Sequence, residues 1–146
     1  MSMKISAKGK YALQLMMDLA IYDTNKPTRL KEIASRQGIS EKFLEQIISI
    51  LNRAGFVRSV RGSQGGYLLS RELKEYTVGM ILRLTEGDLG PAGNVKLKTD
   101  YGEQDCIVTT RIWEQLDDAI NNVVDSITLA DLVDWQNELA VDQYVI

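Results

Sequence analysis

The stretch of sequence that decides the fold runs from Gly38 to Leu69 and reads GISEKFLEQIISILNRAGFVRSVRGSQGGYLL. It predicts a short turn, a helix over 40–54, and a β-hairpin whose turn is formed by residues 61–66. Ser40 is a good N-cap, because its hydroxyl can accept a hydrogen bond from a free amide of the first turn. Gly55 is placed to end the helix in a left-handed conformation. A helix and hairpin in this order indicate a DNA-reading helix followed by a wing.

The predicted helix has one apolar face and one polar face. With about 100° between successive residues, its leucines and isoleucines fall on one side and can pack against the domain. The other side can reach base edges and phosphates, although an ordinary solvated helix would look the same. The residues on this exposed side are Lys42, Glu45, Gln46, Ser49 and Arg53.

The predicted hairpin turn is rich in glycine and begins with an arginine. Glycines let a backbone come close to another surface, and an arginine suits the negative potential of a narrow minor groove. A plain surface hairpin is the alternative. The candidate wing residues are Arg58, Arg61, Gly62, Ser63, Gln64 and Gly65.

The N-terminal segment is basic and leads into a second DNA-binding feature. Lys4, Lys8 and Lys10 flank the start of a helix that begins at about Ser6, where exposed amides could also receive a phosphate. A solvated basic terminus is the alternative. A second helix over 29–37, capped by Thr28 and followed by the Gly38 turn, completes a helix-turn-helix arrangement.

Charge is distributed unevenly along the chain of 146 residues. Residues 1–75 contain 13 Lys and Arg against 7 Asp and Glu, a net charge of +6. Residues 76–146 contain 4 against 13, a net charge of −9. A basic first half suits a polyanion such as DNA, and an acidic second half is expected to face away from it.

The second half predicts a helix from Thr77 that ends at Gly87, a long loop over 88–105, and a long helix over 106–125. The apolar stripe of this long helix has little core of its own to cover, which favours pairing with a second chain. A capping box that begins at Thr128 predicts a short helix through about Trp135, followed by a flexible tail. The candidate dimer residues are Ile112, Trp113, Leu116, Ala119, Ile120 and Val123.

These elements predict a mainly α fold with a small β-hairpin. We expect a winged helix-turn-helix DNA-binding domain over residues 1–87, a loop over 88–105, and a dimerisation helix with a C-terminal tail over 106–146. One cysteine, Cys106, cannot form an internal disulfide, and no signal peptide or membrane span is evident, so we expect a cytoplasmic protein. The chain has no histidine and no glycine-rich phosphate loop, so we expect no enzyme, no cofactor and no metal site.

Several motifs of the chain are similar to those of one known family. They are MKISAKGKYA at 3–12, LEQ at 44–46, RG at 61–62, GGYL at 65–68 and SITLADL at 126–132. Together they resemble the Rrf family of bacterial winged-helix transcription regulators, over nearly the whole chain. The resemblance implies a homodimer on a pseudo-palindromic operator in double-stranded DNA, with recognition helices in major grooves and wings in the flanking minor grooves.

The resemblance also implies roles for single residues. By position, Ser40, Phe43, Glu45 and Gln46 match the family's reader residues, and Arg61 matches its minor-groove arginine. Gln46 could pair with adenine, and Glu45 could accept a hydrogen bond from cytosine N4. The residues expected to hold the DNA backbone are Lys8, Lys10 and Tyr11.

One departure from the family concerns cysteine. Cluster-binding members carry three cysteines in the loop before the dimer helix, whereas this chain carries only Cys106. Because an iron–sulfur site needs about four protein ligands, we expect no cluster. The chain resembles the cluster-free, cysteine-metabolism repressor branch more closely. A thiol redox or iron–sulfur response through Cys106, and an interaction module that has lost DNA binding, are the alternatives.

The C-terminus suggests a protein partner. Tyr144, Val145 and Ile146 end the sequence, and a free carboxylate beside an apolar side chain can be captured by a pocket that offers amide donors. Isoleucine-ended tails of this kind resemble those that enter the active site of cysteine synthase (O-acetylserine sulfhydrylase). We therefore expect that enzyme as a partner, with packing of the tail on the dimer helix as the alternative.

Overall fold

The computed structural model describes residues 4–91, 97–99, 102–104 and 107–144 of the chain. Within these ranges the fold is mainly helical and carries a small antiparallel hairpin, as predicted. The elements are α1 (Ala7–Ile21), α2 (Leu30–Gln37), α3 (Glu41–Arg53), β1 (Val57–Val60), β2 (Gly66–Leu69), a 3₁₀ turn (Leu73–Glu75), α4 (Val78–Glu86), β3 (Leu97–Thr99), β4 (Gly102–Gln104), α5 (Ile107–Ser126) and α6 (Leu129–Tyr144).

The ends of the first and third helices follow directly from their sequence. The Ser6 hydroxyl accepts a hydrogen bond from the Gly9 amide at 3.2 Å, and the Ser40 hydroxyl accepts one from the Phe43 amide at 3.2 Å. Both serines therefore satisfy amides that the helix itself leaves unpaired. Gly55 has a φ of 75°, a left-handed conformation that glycine adopts readily. The predicted start and end of α3 are confirmed.

A buried ion pair fixes α2 against α1. The Asp18 side chain is completely buried, and its carboxylate accepts hydrogen bonds from Arg36 at 2.7 and 3.0 Å and from Gln37 at 2.9 Å. The hydrogen bond to Asp18 raises the pKa of Arg36. A charge inside a protein is tolerated when its partners satisfy it in this way. The contact sets the orientation of α2, and through the Gly38 turn that of α3.

Tyr76 holds the hairpin onto the core. Its buried hydroxyl donates a hydrogen bond to the Phe56 carbonyl at 2.6 Å and accepts one from each of the Ser70 and Arg71 amides at 3.0 Å. Burial raises the pKa of Tyr76, because the ionised phenolate would lose its hydration. The residue before β1 and the residues after β2 are thereby bound to one side chain.

The C-terminal helices share a core with the N-terminal part. The Val78 amide donates to the Ile127 carbonyl and the Leu129 amide donates to the Tyr76 carbonyl, both at 2.9 Å. The Leu129 side chain is fully buried in the cluster that also contains residues of α1 and α3. The segment after α5 therefore returns to the first half of the chain and packs there.

A bidentate ion pair joins α5 to α4. Arg83 donates to the two carboxylate oxygens of Asp125 at 2.6 and 3.0 Å and to the Asn121 side chain at 2.8 Å. The hydrogen bonds from Arg83 lower the pKa of Asp125. This contact fixes the end of the long helix on the domain. Within the part of the chain that the structure describes, no helix is both long enough and apolar enough to cross a lipid bilayer.

Two sequence expectations about the second half need correction, and a third is confirmed. The stretch over 88–105, expected to be a loop, contains the short hairpin of β3 and β4. The capping box at Thr128 is confirmed by reciprocal hydrogen bonds with Asp131 at 2.9 and 3.2 Å. The helix that it opens does not end near Trp135 but continues to Tyr144. Its first turns pack on the core through Leu129, Leu132 and Val133, a tertiary contact that the local pattern does not contain, whereas residues 134–139 are exposed.

Candidate nucleic-acid interface

The exposed face of α3 carries the residues that the sequence assigned to it. Leu44, Ile47, Ile48 and Leu51 are buried. On the opposite side, polar side chains are exposed and available to a groove of DNA. The exposed residues of α3 and its cap include Ser40, Lys42, Glu45, Gln46, Ser49 and Arg53.

An aromatic contact places the start of α1 beside α3. The rings of Tyr11 and Phe43 meet edge to face, with centroids 5.4 Å apart. Lys10 is exposed and Lys8 is half-buried, and both precede Tyr11 on the first turn of α1. The contact therefore brings basic side chains next to the reader helix. Both aromatic residues pack against the core and are only partly buried. Their contact therefore holds the basic segment in place, and each ring keeps some exposed surface.

The amide groups at the start of α1 differ from the sequence expectation. The Glu86 carboxylate accepts a hydrogen bond from the Ser6 amide at 3.0 Å and another from the Ser6 hydroxyl. A carboxylate at the end of α4 therefore occupies part of the position at which a phosphate was expected. The Ser6 amide is therefore already paired and is not free to receive a phosphate.

The wing is a regular antiparallel hairpin with an exposed tip. Ser59 pairs with Tyr67 and Val60 pairs with Gly66. The exposed residues of the hairpin and its tip are Arg58, Ser59, Arg61, Gly62, Ser63 and Gln64. Gly65 differs from these residues, because it is buried. A Cβ atom at this position would lie 2.2 Å from the Val60 carbonyl oxygen. Gly65 is needed by the turn itself and is buried, so it offers no side-chain surface to DNA.

The sequence suggested that Thr28 caps α2, but in the structure it does not. Its amide donates to the Tyr67 carbonyl at 3.0 Å, and the Tyr67 amide donates to the Thr28 carbonyl at 2.8 Å. The residue in the N-cap position of α2 is Arg29, which makes no side-chain capping bond. Thr28 therefore extends the wing by an antiparallel bridge to β2.

Sequence reasoning missed Arg29. Its guanidinium donates a hydrogen bond to the carbonyl of Ser63 in the wing tip. The two residues are 34 positions apart, so no local pattern could have linked them. The sequence offered one signal for a role of Arg29, which is its position as a basic residue directly before a helix.

The apolar stripe predicted on α5 is divided between two faces. Ile112 and Val123 are 51% and 57% exposed, and Ala119 is also exposed. Ile120 instead packs on a cluster formed by Val78, Leu82 and Leu89 of the same chain. Trp113, which is 41% exposed, and the half-buried Leu116 complete the predicted set.

The remaining candidates fall mostly outside the described residues. Cys106, Val145 and Ile146 are not among them. Tyr144 is the last residue of α6, so the expectation of a flexible segment before the final two residues is wrong.

The chain was compared with known families and proteins. The model of the Rrf2 family, described as an iron-dependent transcriptional regulator, matches residues 5–135. The chain is 40% identical over 133 residues to the HTH-type transcriptional regulator CymR of Bacillus subtilis, with 91% of each chain covered.

Solved structures give the same result. The structure of CymR, the global cysteine regulator of B. subtilis, superimposes with a TM-score of 0.77 and covers 90% of this chain and 97% of its own. The structure of T. potens IscR is 44% identical, with a TM-score of 0.76 and coverage of 93% and 90%. The oxidised form of Staphylococcus aureus CymR is 35% identical, with a TM-score of 0.72 and coverage of 89% and 95%. The chain belongs to the Rrf2 family of winged-helix, DNA-binding transcriptional regulators.

Proposed function

We propose that the protein is a repressor that binds a pseudo-palindromic operator as a homodimer. In this proposal α3 enters the major groove, the tip of the wing enters the flanking minor groove, and the lysines near Tyr11 contact phosphates. The observation that carries it is the exposed polar face of α3, which the Tyr11–Phe43 contact places directly beside the basic start of α1. Side chains that read bases thus adjoin side chains that bind the backbone.

We divide the functions along the chain as the sequence suggested. Residues 1–87 read DNA, residues 88–105 form an effector loop, and residues 106–146 pair two copies and contact other partners. The opposite net charges of the two halves support this division, because the acidic half gains nothing from approaching a polyanion.

The seam between two copies is proposed to lie on the outward face of α5. Exposed apolar residues recur there at steps of four, seven and four, at Val108, Ile112, Ala119 and Val123. Such spacing keeps side chains on one side of a helix that packs against a second helix. The other predicted dimer residues, Trp113, Leu116 and Ile120, are assigned to the edge of this seam.

Val123→Glu is expected to convert the dimer to a monomer at micromolar concentration, because it places a charge in an apolar seam. Analytical ultracentrifugation measures the change. Asn122→Glu adds the same charge to the neighbouring, exposed position and is the control. If Val123→Glu and Asn122→Glu both sediment as dimers, the seam does not include Val123.

Two substitutions test the roles at the DNA interface. Gln46→Ala is expected to weaken binding by about 1–3 kcal/mol at a few base positions only, because a bidentate contact to one base is lost. Lys8→Ala is expected to weaken operator and random duplexes alike, because a phosphate carries no sequence information. Fluorescence anisotropy on a duplex selected by the wild-type protein, and on a random duplex, measures both.

The comparison of the two substitutions decides the assignment. Wild-type binding is also expected to fall steeply with salt concentration, since bound lysines and arginines displace counterions. Equal losses by Gln46→Ala on operator and random DNA would refute a base-reading role. Equal affinity of Lys8→Ala and the wild type for both duplexes would refute the phosphate contact.

Cysteine and sulfur metabolism is the process that we propose to be regulated. Support comes from the 40% identity to CymR, the global cysteine regulator of B. subtilis. The comparable similarity to T. potens IscR supports the alternative, a redox- or iron–sulfur-responsive regulator that senses through Cys106. Genome-wide footprinting under sulfur limitation and under iron limitation separates the two. Occupancy that changes with iron alone would favour the alternative.

We propose that the protein acts in the cytoplasm. Cysteine synthase remains the protein partner that the sequence predicts. Because α6 continues to Tyr144, insertion of an extended tail into an active site would require the last turn of α6 to unwind. Calorimetry with the enzyme, using the intact chain and a chain that lacks Ile146, tests this partner. Equal heats of binding for both chains would exclude it.

A further inference from the structure

Arg29 lies at a position that the backbone fixes against the wing. The two hydrogen bonds between Thr28 and Tyr67 hold the start of α2 on β2. Gly66 permits this close approach, because a Cβ atom there would lie 2.4 Å from the Thr28 carbonyl oxygen. The distance between the Arg29 backbone and the wing tip is therefore set by main-chain contacts and does not depend on the arginine itself.

The side chain of Arg29 crosses from α2 to the tip of the wing. It is exposed, makes no capping bond to its own helix, and donates to the Ser63 carbonyl. A guanidinium has five N–H donors, and a neutral carbonyl neutralises none of its charge. Arg29 takes part in none of the ion pairs observed among the described residues, which include those of Arg36, Lys74 and Arg83.

Arg29 shares an open groove with the arginine already assigned to the wing. The groove lies between the start of α2 and the hairpin, and Arg29, Arg61, Gly62 and Gly65 are among the residues that line it. Three glycines, Gly62, Gly65 and Gly66, lie in its wall, and the lack of side chains there leaves room for a close approach by a backbone. The first helix of a helix-turn-helix lies against the DNA backbone, so a phosphate beside the wing would come close to this groove.

We propose that Arg29 is a further DNA-contact residue, which binds a backbone phosphate beside the wing while its hydrogen bond to Ser63 keeps the guanidinium in place. The bond to the carbonyl orients the planar group, and its remaining donors and full charge face the groove that it shares with Arg61. The contact is independent of sequence, because a phosphate presents the same oxygens at every base pair. This inference rests on the proposed DNA-binding function.

A charge-neutral substitution tests the proposal. Arg29→Gln keeps a donor for the Ser63 carbonyl but removes the charge, and is expected to weaken binding about fivefold on the selected operator duplex and on a random duplex. Its slope of log affinity against log salt is expected to be smaller than that of the wild type by about 0.9, the value for one lost phosphate contact. Arg29→Lys should keep the wild-type slope, because the charge remains.

Lys74→Gln is the matched control. Lys74 is an exposed basic residue on the 3₁₀ turn that packs against α6, and it lies outside the proposed interface. Its removal changes the net charge equally and should leave the salt slope unchanged. The proposal would be overturned if Arg29→Gln kept the wild-type slope of log affinity against log salt. It would also be overturned if Lys74→Gln reduced that slope as much as Arg29→Gln does. Wild-type protein with no salt-dependent affinity for either duplex would instead refute the DNA-binding function itself.

Discussion

Leu129→Ala is expected to lower the free energy of unfolding by about 3 kcal/mol, the largest effect on stability that we predict. Leu129 is completely buried, although it belongs to the C-terminal segment. Its side chain fills the same cluster as α1 and α3, and truncation would leave a cavity that these helices cannot close without moving. Urea denaturation followed by circular dichroism, at one fixed protein concentration, measures the loss.

Leu139→Ala on the same helix is the control for this prediction. Leu139 is 59% exposed, so its truncation is expected to cost less than about 0.5 kcal/mol. Similar unfolding midpoints for the two variants would mean that α6 does not contribute to the core. The substitution at Leu129 is also expected to reduce DNA affinity at higher temperature, because the helices that it supports carry the reader residues.

Gly66→Ala is expected to have the largest effect on DNA binding among the substitutions outside the direct contacts. The added Cβ atom would lie 2.4 Å from the Thr28 carbonyl oxygen and 3.0 Å from the Arg29 amide nitrogen, and φ at this position is +156°. These neighbours are main-chain atoms and cannot turn aside as a flexible side chain can. The bridge between Thr28 and Tyr67 must therefore open, which releases the wing from α2. We expect a loss of about 2 kcal/mol in stability and about tenfold in operator affinity.

Gly87→Ala separates backbone strain from this steric clash. Gly87 also has a positive φ, of +70°, but no atom lies within 4 Å of its Cβ position, and the residue is outside the proposed interface. Its substitution is expected to cost about 1 kcal/mol of stability and to leave operator affinity unchanged. Anisotropy titrations on the selected operator duplex compare the two variants. Equal affinities would show that the bridge to Thr28 does not hold the wing in place.

Much of the first half of the chain could be predicted from local sequence. The limits of α3 follow from Ser40 and Gly55, and its two faces follow from the spacing of leucine and isoleucine. The wing follows from glycines that a tight turn needs. Each of these signals acts over a few residues, through a cap, a helical period or a turn, and so it survives any arrangement of the rest of the chain.

The same local reasoning failed where distant segments compete for a residue. Thr28 has a side chain suited to capping a helix, but its backbone pairs with Tyr67. The short helix expected after Thr128 continues to Tyr144, and its first turns pack on the core through Leu129, Leu132 and Val133. Ile120 looked equivalent to Val123 on the long helix, yet it is held by α4.

The sequence by itself determined the family, the limits and faces of α3, the wing and the opposite charges of the two halves, because motifs, caps and periods are local properties. Only the tertiary structure decided that Glu86 occupies the start of α1, that Arg29 reaches the wing, and that the C-terminal segment completes the core through Leu129. These contacts join residues far apart in the chain, and their partners are selected by the packing of the whole domain. The physical reason is that burial and hydrogen bonding reward proximity in space, which local sequence does not specify.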